Sequence, residues 1–202
     1  YLEKDQSTGA YRIGLKFVEI SSLHIQQIEL KTEAIPFMRH LSELTGQVTH
    51  LAIMDETEVV YIEKIDVIQS LRMYSQIGKR IPVYCSALGK VLLSGQNSDY
   101  QKRIMKKIKY TQQTKNTIRE ESQFINELEK TKQRGWAVDN EEHELGIRCI
   151  AAPIRDFTGK VIAALSITGS KNTIVPEKDQ YYSELVVEAA DNISRRLGFF
   201  KL

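Results

Sequence analysis

The stretch GWAVDNEEHELGIRCIAAP, residues 135–153, carries the most informative pattern in this chain. An acidic, polar segment at 139–144 passes almost directly into an apolar run at 147–153. The first part is typical of a loop, and a short apolar run that follows a glycine is typical of a buried strand. In such a strand, Cys149 lies on one face and Arg148 on the other. An arginine and a cysteine inside a core element mark this strand as a candidate site.

Outward from this stretch, apolar patterning predicts a run of strands joined by hairpins and flanked by helices. Strands are predicted at Val48–Met54, Val59–Ile65, Ile68–Ser75, Trp136–Asp139, Ile147–Arg155 and Val161–Thr168. Helices are predicted at Leu15–Lys31, from a cap at Thr32 to Gly46, at Ala87–Leu93, at Asp99–Ile108, from a capping box at Thr117–Glu120 to Gln133, and from Pro176 onward. This order predicts an α+β fold with a central antiparallel sheet flanked by helices.

The first 14 residues follow a strand, turn, strand pattern. A lone hairpin is marginally stable in water, so we expect this piece to belong to a preceding domain. The chain begins at Tyr1 without a methionine, and we therefore expect it to be a fragment. The helix at 15–31 has apolar residues on a broad surface and is interpreted as a linker helix, with a dimer contact as one possible use.

The composition excludes several classes of protein. With 28 basic and 26 acidic residues in 202, the formal charge is 28 − 26 = +2, which argues against a broad nucleic-acid surface on these residues. A hydrophobic content of 42% supports a buried core rather than disorder. Apolar runs are strand-sized, so no membrane helix is expected. Two cysteines do not form a disulfide scaffold, and we expect a cytoplasmic protein.

The acidic segment and its strand allow more than one chemistry. A Cys149–His143–Asp139 set is conceivable as a nucleophilic triad, although the local sequence has no nucleophile signature. A small buried hydrophobe is the simpler interpretation of Cys149 and the favoured one. His143, Cys149 and Glu142 lack a recognised zinc-ligand spacing, so no metal site is expected.

Two further segments suggest a pocket. The start of the helix after Ser86 leaves backbone N–H groups free for a carboxylate or phosphate, although an ordinary capped helix explains the same residues. The glycine pattern of a P-loop is absent there, since Tyr84 and Val91 break it. Ser166 and Thr168 alternate with apolar residues, so both hydroxyls face one side of a strand.

Together these segments resemble the effector-binding domain of the IclR family of bacterial transcription regulators. The resemblance covers about residues 14–200 and depends most on the long pattern at 135–153. Further matches in order and spacing are Arg72-Met73, Ile77-Gly78, Pro82, Ser86–Lys90 and Leu165–Gly169. Residues 1–14 resemble the wing and exit of the family's winged-helix domain, whose recognition helix would lie upstream. The implied division is a winged-helix remnant at 1–14, a linker helix at 15–31 and an effector-binding domain at 32–202.

The resemblance implies a GAF-like or profilin-like domain with a cavity for a small organic acid, such as a keto acid, a sugar acid or an aromatic acid. It places the ligand carboxylate on the amides of Ala87 and Leu88, polar contacts at Asp139, Cys149, Ser166 and Thr168, and an apolar wall at Met73 and Ile81. The sequence departs from the family at Leu88, which is bulkier than the usual alanine, and at Thr168, where serine is usual. An ionised Asp139 would repel a carboxylate, so we expect it to contact a hydroxyl, a water or Cys149.

The implied protein is a sensor without enzymatic activity and without a cofactor or metal. It is expected to form a homodimer or homotetramer and to bind operator DNA through the N-terminal domain. Two other readings stay open at this point: a small-acid hydrolase that uses Cys149, and a ligand-free dimerisation module.

Overall fold

A computed structural model describes residues 2–14, 16–66 and 75–200, and the side chains at 12–13 and 17–29 lie outside that description. Its centre is a six-stranded antiparallel sheet with the order β5-β4-β3-β8-β7-β6. The strands are β3 (Val48–Asp55), β4 (Glu58–Ile65), β5 (Arg80–Pro82), β6 (Ala137–Asn140), β7 (Ile147–Arg155) and β8 (Val161–Ser170). A separate hairpin consists of β1 (Leu2–Lys4) and β2 (Tyr11–Ile13).

Helices cover both faces of the six-stranded sheet. They are α1 (Lys16–Thr45), α2 (Ala87–Ser94), α3 (Ser98–Met105), α4 (Glu121–Arg134) and α5 (Asp179–Arg196). Short 3₁₀ turns at Val83–Cys85 and Pro176–Lys178 precede α2 and α5. The C-terminal half of α1 and α5 share one apolar core with the sheet, whereas α2, α3 and α4 share the other.

Period-two alternation in the central strands separates the two cores. On β8, Leu165 and Ile167 are buried towards α1 and α5. Ser166 and Thr168 therefore face the α2 side. The register places Thr168 opposite Cys149 and Ser166 opposite His50, so these four polar side chains share one face. These four side chains form a polar patch on the sheet face that lies beneath the start of α2.

The main strand predictions are confirmed. The hairpin β3–β4 and the three strands β6, β7 and β8 lie where the patterning predicts them, and the sheet is antiparallel as expected. The strand predicted at Ile68–Ser75 lies outside the described residues, apart from Ser75 itself. No strand or helix is predicted for the segment 77–84, but it contains the short edge strand β5, which pairs with β4 through Val59 and Ile81.

The helix break predicted at Thr32 is wrong, because α1 runs without interruption from Lys16 to Thr45 and includes Pro36. A threonine shortly before a proline resembles a helix start, since proline is favoured in a first turn. The continuous helix is instead stabilised by packing: Ala34, Met38 and Leu41 are almost fully buried against the sheet. The proposed division into linker and domain at residue 31 therefore does not coincide with a helix end.

The capping box predicted at Thr117–Glu120 is also wrong, because α4 begins at Glu121 without a side-chain cap. The Thr117 hydroxyl accepts the N–H groups of Gln113 and Thr114 and donates to the carbonyl of Glu142 at 2.7 Å. The residue thus fixes one loop to another rather than starting a helix. Within the described part of the chain, no helix combines the length and apolar character needed to cross a membrane.

Candidate functional site

The first turn of α2 presents two backbone donors without acceptors. Ser86 is the N-cap in an extended conformation, and its Oγ accepts the N–H of Gly89 at 3.1 Å. Its carbonyl accepts the N–H of Lys90. The N–H groups of Ala87 and Leu88 donate to no atom of the described residues, although both residues are at most 3% exposed. Buried donors of this kind need an acceptor beyond the described residues, such as a water molecule or a ligand.

Close packing explains why the helix starts at this position. A Cβ atom at Gly89 would overlap the backbone of Val83, so only glycine lets the first turn of α2 lie against the preceding 3₁₀ turn. This contact fixes the position of the first turn of α2, and Ala87 and Leu88 of that turn line a cavity. The predicted cap at Ser86 is confirmed.

The cavity lies between the start of α2, the α2 side of the sheet and the loop that precedes β7. Its volume is about 50 Å³, several times the roughly 10–15 Å³ that one water molecule needs. Seven of the eight predicted ligand residues line it: Ile81, Ala87, Leu88, Asp139, Cys149, Ser166 and Thr168. The eighth, Met73, lies outside the described residues. The structure brings the seven together, and their role in ligand binding stays a prediction.

The cavity floor contains an unsatisfied hydroxyl. Ser166 is 1% exposed, and its Oγ has no hydrogen-bond partner among the described residues. Leaving a buried hydroxyl unpaired costs roughly 1–3 kcal/mol. The residues that line this cavity thus carry three groups without a partner among the described residues, namely the two amides and this hydroxyl.

A histidine that the sequence analysis missed connects two walls of the cavity. The Nδ1 atom of His50 lies 3.2 Å from Thr168 Oγ1, and its Nε2 atom lies 2.8 Å from Ser75 Oγ. The ring stacks against Tyr61 with centroids 4.7 Å apart. Burial, aided by the charge of Lys64, lowers the pKa of His50 to about 3. The imidazole is therefore neutral near pH 7, with one nitrogen as donor and the other as acceptor.

Asp139 is the acidic group of the cavity. It is 3% exposed, and its Oδ1 accepts the N–H of Glu142 at 2.7 Å. Burial, together with the neighbouring Glu142 carboxylate, raises the pKa of Asp139 to about 7, while Lys90 opposes the shift. Near neutral pH the side chain thus exists in both the protonated and the charged form. Only the charged form of Asp139 would repel a ligand carboxylate.

A buried ion pair between α2 and the loop after β6 stabilises the region around Asp139. Lys90 is 1% exposed, and its Nζ donates to Glu142 Oε1 at 2.6 Å and to the Val138 carbonyl at 2.7 Å. Glu142 is also held through its carbonyl by Thr117. The end of β6, which carries Asp139, and the loop that follows it are therefore tied both to α2 and to the segment before α4.

The two cysteines do not form the nucleophilic arrangement considered above. His143 Nδ1 lies 3.7 Å from the Sγ of Cys85, not paired with Cys149. Burial raises the pKa of both thiols, with the Asp139 charge as a further cause. A raised pKa disfavours the thiolate, which is the reactive form. The described residues hold no cluster of three His, Cys, Asp or Glu side chains suited to a metal ion, and Glu142 is occupied by Lys90.

Several cavity residues had little signal in the sequence. His50 follows Thr49 on a predicted strand that shows no clear alternation there, and its pairing with Ser166 follows only from the strand register. Ser75 and Lys79 lie in a segment without clear periodicity. Ile77 and Leu145 are 57% and 60% exposed in the loops beside the cavity lining.

Comparisons with known proteins agree on one family. Residues 22–195 match the family model described as the C-terminal region of the bacterial transcriptional regulator IclR. The chain is 38% identical over 199 residues to the HTH-type transcriptional regulator KdgR of Escherichia coli strain K12, covering 98% of this chain and 76% of that protein.

Solved structures support the same assignment. The crystal structure of the Thermotoga maritima IclR matches 98% of this chain and 80% of its own, with 34% identity and a TM-score of 0.82. The inducer-binding domain of the Acinetobacter transcription factor PobR, a double mutant in complex with 3-hydroxybenzoic acid, matches 79% of this chain and 94% of its own, with 29% identity and a TM-score of 0.72. These neighbours confirm the expected GAF-like effector-binding fold.

Proposed function

Since the chain belongs to the IclR family of bacterial transcription regulators, we propose that its cavity binds a small organic acid that alters the regulator's affinity for operator DNA. The observation that carries the proposal is the convergence of three unpaired buried donors on one small cavity. The amides of Ala87 and Leu88 begin a helix, where the backbone dipole favours an anion. The Ser166 hydroxyl lies on the floor beneath them.

The chemistry of the walls supports a carboxylate with a second polar group. We assign the carboxylate to the helix start and a hydroxyl or carbonyl of the same ligand to Ser166, Thr168 and Asp139, which line the same cavity. A volume of about 50 Å³ favours a compact keto, hydroxy or aromatic acid. The complex of the PobR domain with 3-hydroxybenzoic acid is an example of such a ligand in a structural neighbour.

Helix α1 is the element suited to transmit the effect of binding. It joins the β1–β2 hairpin, which we assign to the remnant of a winged-helix domain at 1–14, to the sheet, and its second half packs on β3, β4 and α5. An effector changes DNA affinity only through different affinities for two arrangements of the regulator, typically ~1–3 kcal/mol of coupling. We propose a homodimer or homotetramer in the cytoplasm as the unit that changes arrangement.

The hydrolase reading has little support. The curated relatives are transcription regulators. Both thiols have a raised pKa, and His143 lies beside Cys85 rather than beside Cys149. We therefore assign the cavity to sensing without catalysis.

Substitution Ala87→Pro tests the carboxylate position. Proline is favoured at the first position of a helix, and Ser86 already has the extended backbone that must precede it, so α2 should form. The change removes one donor N–H and places ring atoms in the ligand's position. The matched control is Ser98→Pro, because Ser98 is the exposed first residue of α3 behind an extended N-cap.

Calorimetry with pyruvate, gluconate and 3-hydroxybenzoate should give binding to the wild-type chain and to the Ser98→Pro variant, and none to Ala87→Pro. Thermal unfolding of both variants verifies that they fold. Equal affinity of a folded Ala87→Pro variant for the same acid would refute the amide site, and binding of no organic acid to the wild type would refute the function.

A further inference from the structure

The cavity brings a carboxyl group and an anion site together. We propose that the effector binds together with a proton, taken up by Asp139, so that the regulator senses its acid more weakly as the pH rises. This inference rests on the proposed function and concerns the regulation of the same site. Its basis is that Asp139 lines the cavity that holds the free amides of Ala87 and Leu88.

Geometry makes a second negative charge in this cavity unfavourable. Asp139 is almost fully buried, and the cavity volume is about 50 Å³, so a bound carboxylate cannot be far from the Asp139 carboxyl group. Two carboxylates that share a small buried site do not both stay ionised. A protonated Asp139, by contrast, can donate a hydrogen bond to the ligand.

The charged groups around Asp139 do not neutralise it. Lys90 of α2 reaches the region, but its ammonium is already bonded to Glu142 Oε1 and to the Val138 carbonyl. Glu142 itself adds negative charge beside Asp139. Lys90 also lies 4.0 Å from the Glu127 carboxylate of α4, so its one positive charge is shared with two other carboxylates and does not outweigh the effect of burial on Asp139.

Other titratable groups face the cavity from every neighbouring element. They are Cys85 of the 3₁₀ turn, Cys149 of β7, Tyr61 of β4, His50 of β3, and His143, Glu144 and Lys79 at the cavity edge. The thiols and the tyrosine have a raised pKa and stay neutral. His50 stays neutral because its pKa is lowered to about 3. Burial also lowers the pKa of His143, away from neutrality, whereas it raises the pKa of Asp139 to about 7.

A pH dependence of defined size follows. With a pKa of about 7 in the empty protein, the protonated fraction falls as the pH rises. If only that fraction binds the acid, the affinity at pH 8.5 should be roughly 25-fold lower than at pH 6.5. Near pH 8, binding should take up close to one proton per site.

Asp139→Asn mimics the protonated carboxyl group, because its amide oxygen can still accept the Glu142 N–H while its NH₂ group donates. We expect this variant to bind the acid with nearly equal affinity at pH 6.5 and 8.5 and without proton uptake. The probe is whichever of pyruvate, gluconate and 3-hydroxybenzoate binds the wild-type chain most tightly, titrated calorimetrically in buffers of different ionisation enthalpy.

The outcomes separate the two claims. Tight binding to the wild type without proton uptake and without pH dependence would overturn this inference and leave the sensing function intact. Uptake that persists in Asp139→Asn would assign the proton to His143 and overturn it as well. The pH dependence of the wild type tests the inference by itself, even if Asp139→Asn does not fold. Binding of none of the three acids overturns both claims.

Discussion

Removing the hydroxyl of Ser166 should have opposite effects on stability and on binding. Ser166 Oγ is buried and has no partner in the described structure, so Ser166→Ala removes an unsatisfied group and leaves no new one. We expect the free energy of unfolding to stay within about 0.5 kcal/mol of wild type or to rise by up to ~1 kcal/mol. Loss of a neutral hydrogen bond to the ligand should weaken acid binding by ~0.5–1.5 kcal/mol, roughly 2- to 13-fold.

A satisfied buried serine gives the matched control. Ser194 of α5 is fully buried on the other face of the sheet, where its Oγ donates to the Ala190 carbonyl and accepts the N–H of Arg155 at 2.9 Å. Ser194→Ala leaves that N–H without its acceptor, so it should cost about 1–3 kcal/mol of stability. Its affinity for the acid should equal that of the wild type.

Urea unfolding and calorimetric titration of the two variants and the wild type measure both quantities. The contrast is the informative result: one alanine substitution weakens binding without loss of stability, and the other lowers stability without an effect on binding. If Ser166→Ala destabilised the chain by more than 1 kcal/mol with unchanged affinity, the hydroxyl would be a structural group, and the role assigned to it would be refuted.

Three further predictions concern the buried ion pair, the buried carboxyl group and the two thiols. In urea unfolding, Lys90→Met should destabilise the chain by about 3–5 kcal/mol, because it leaves the Glu142 carboxylate buried without a cation. Adding Glu142→Gln should recover part of that loss. A cost of Lys90→Met below about 1 kcal/mol would contradict the role of the ion pair. The pKa of Asp139 is raised from 3.8 to about 7, so the folded wild type loses stability as the pH rises through that range, whereas Asp139→Asn has no such proton to lose. The unfolding free energy of Asp139→Asn minus that of the wild type should therefore increase from pH 4 to 7 and then level off. A difference that does not change with pH would contradict the raised pKa. Iodoacetamide at pH 8 should leave Cys85 and Cys149 of the folded chain unmodified while both react in urea, and equal rates by mass spectrometry would refute the raised thiol pKa.

Local patterns predicted most of the sheet because its strands are short, largely apolar runs that end at strong turn signals. The hairpin at Asp55–Glu58 and the turn at Asp156–Gly159 fixed the neighbours of four strands. The cap at Ser86 was predictable because serine before an apolar helical run has a direct chemical role. Thr117 shows the limit of such signals, since its hydroxyl serves a distant carbonyl rather than its own helix.

Contacts between residues far apart in the sequence determined the features that local patterns did not predict. Nothing local to His50 indicates that it faces Ser166 and bonds to Thr168, because both facts depend on the β3–β8 register. The partner of Lys90, Glu142, lies 52 residues away in sequence. The continuity of α1 through Pro36 likewise depends on tertiary packing, which outweighs the local preference for a break. The stretch 135–153 was found from its acidic-then-apolar pattern, whereas the roles of Asp139 and Cys149 in a ligand cavity were implied only by the family resemblance.

The most direct test of the proposed site is an NMR titration of the ¹⁵N-labelled chain with the acid that calorimetry identifies. We predict that the amide resonances of Ala87 and Leu88 move downfield in a saturable manner, while those of Ser98 and Asp99 at the start of α3 stay unchanged. Saturable binding that leaves the Ala87 and Leu88 amides in place, with shifts confined to other parts of the chain, would contradict the assignment of the carboxylate to the start of α2.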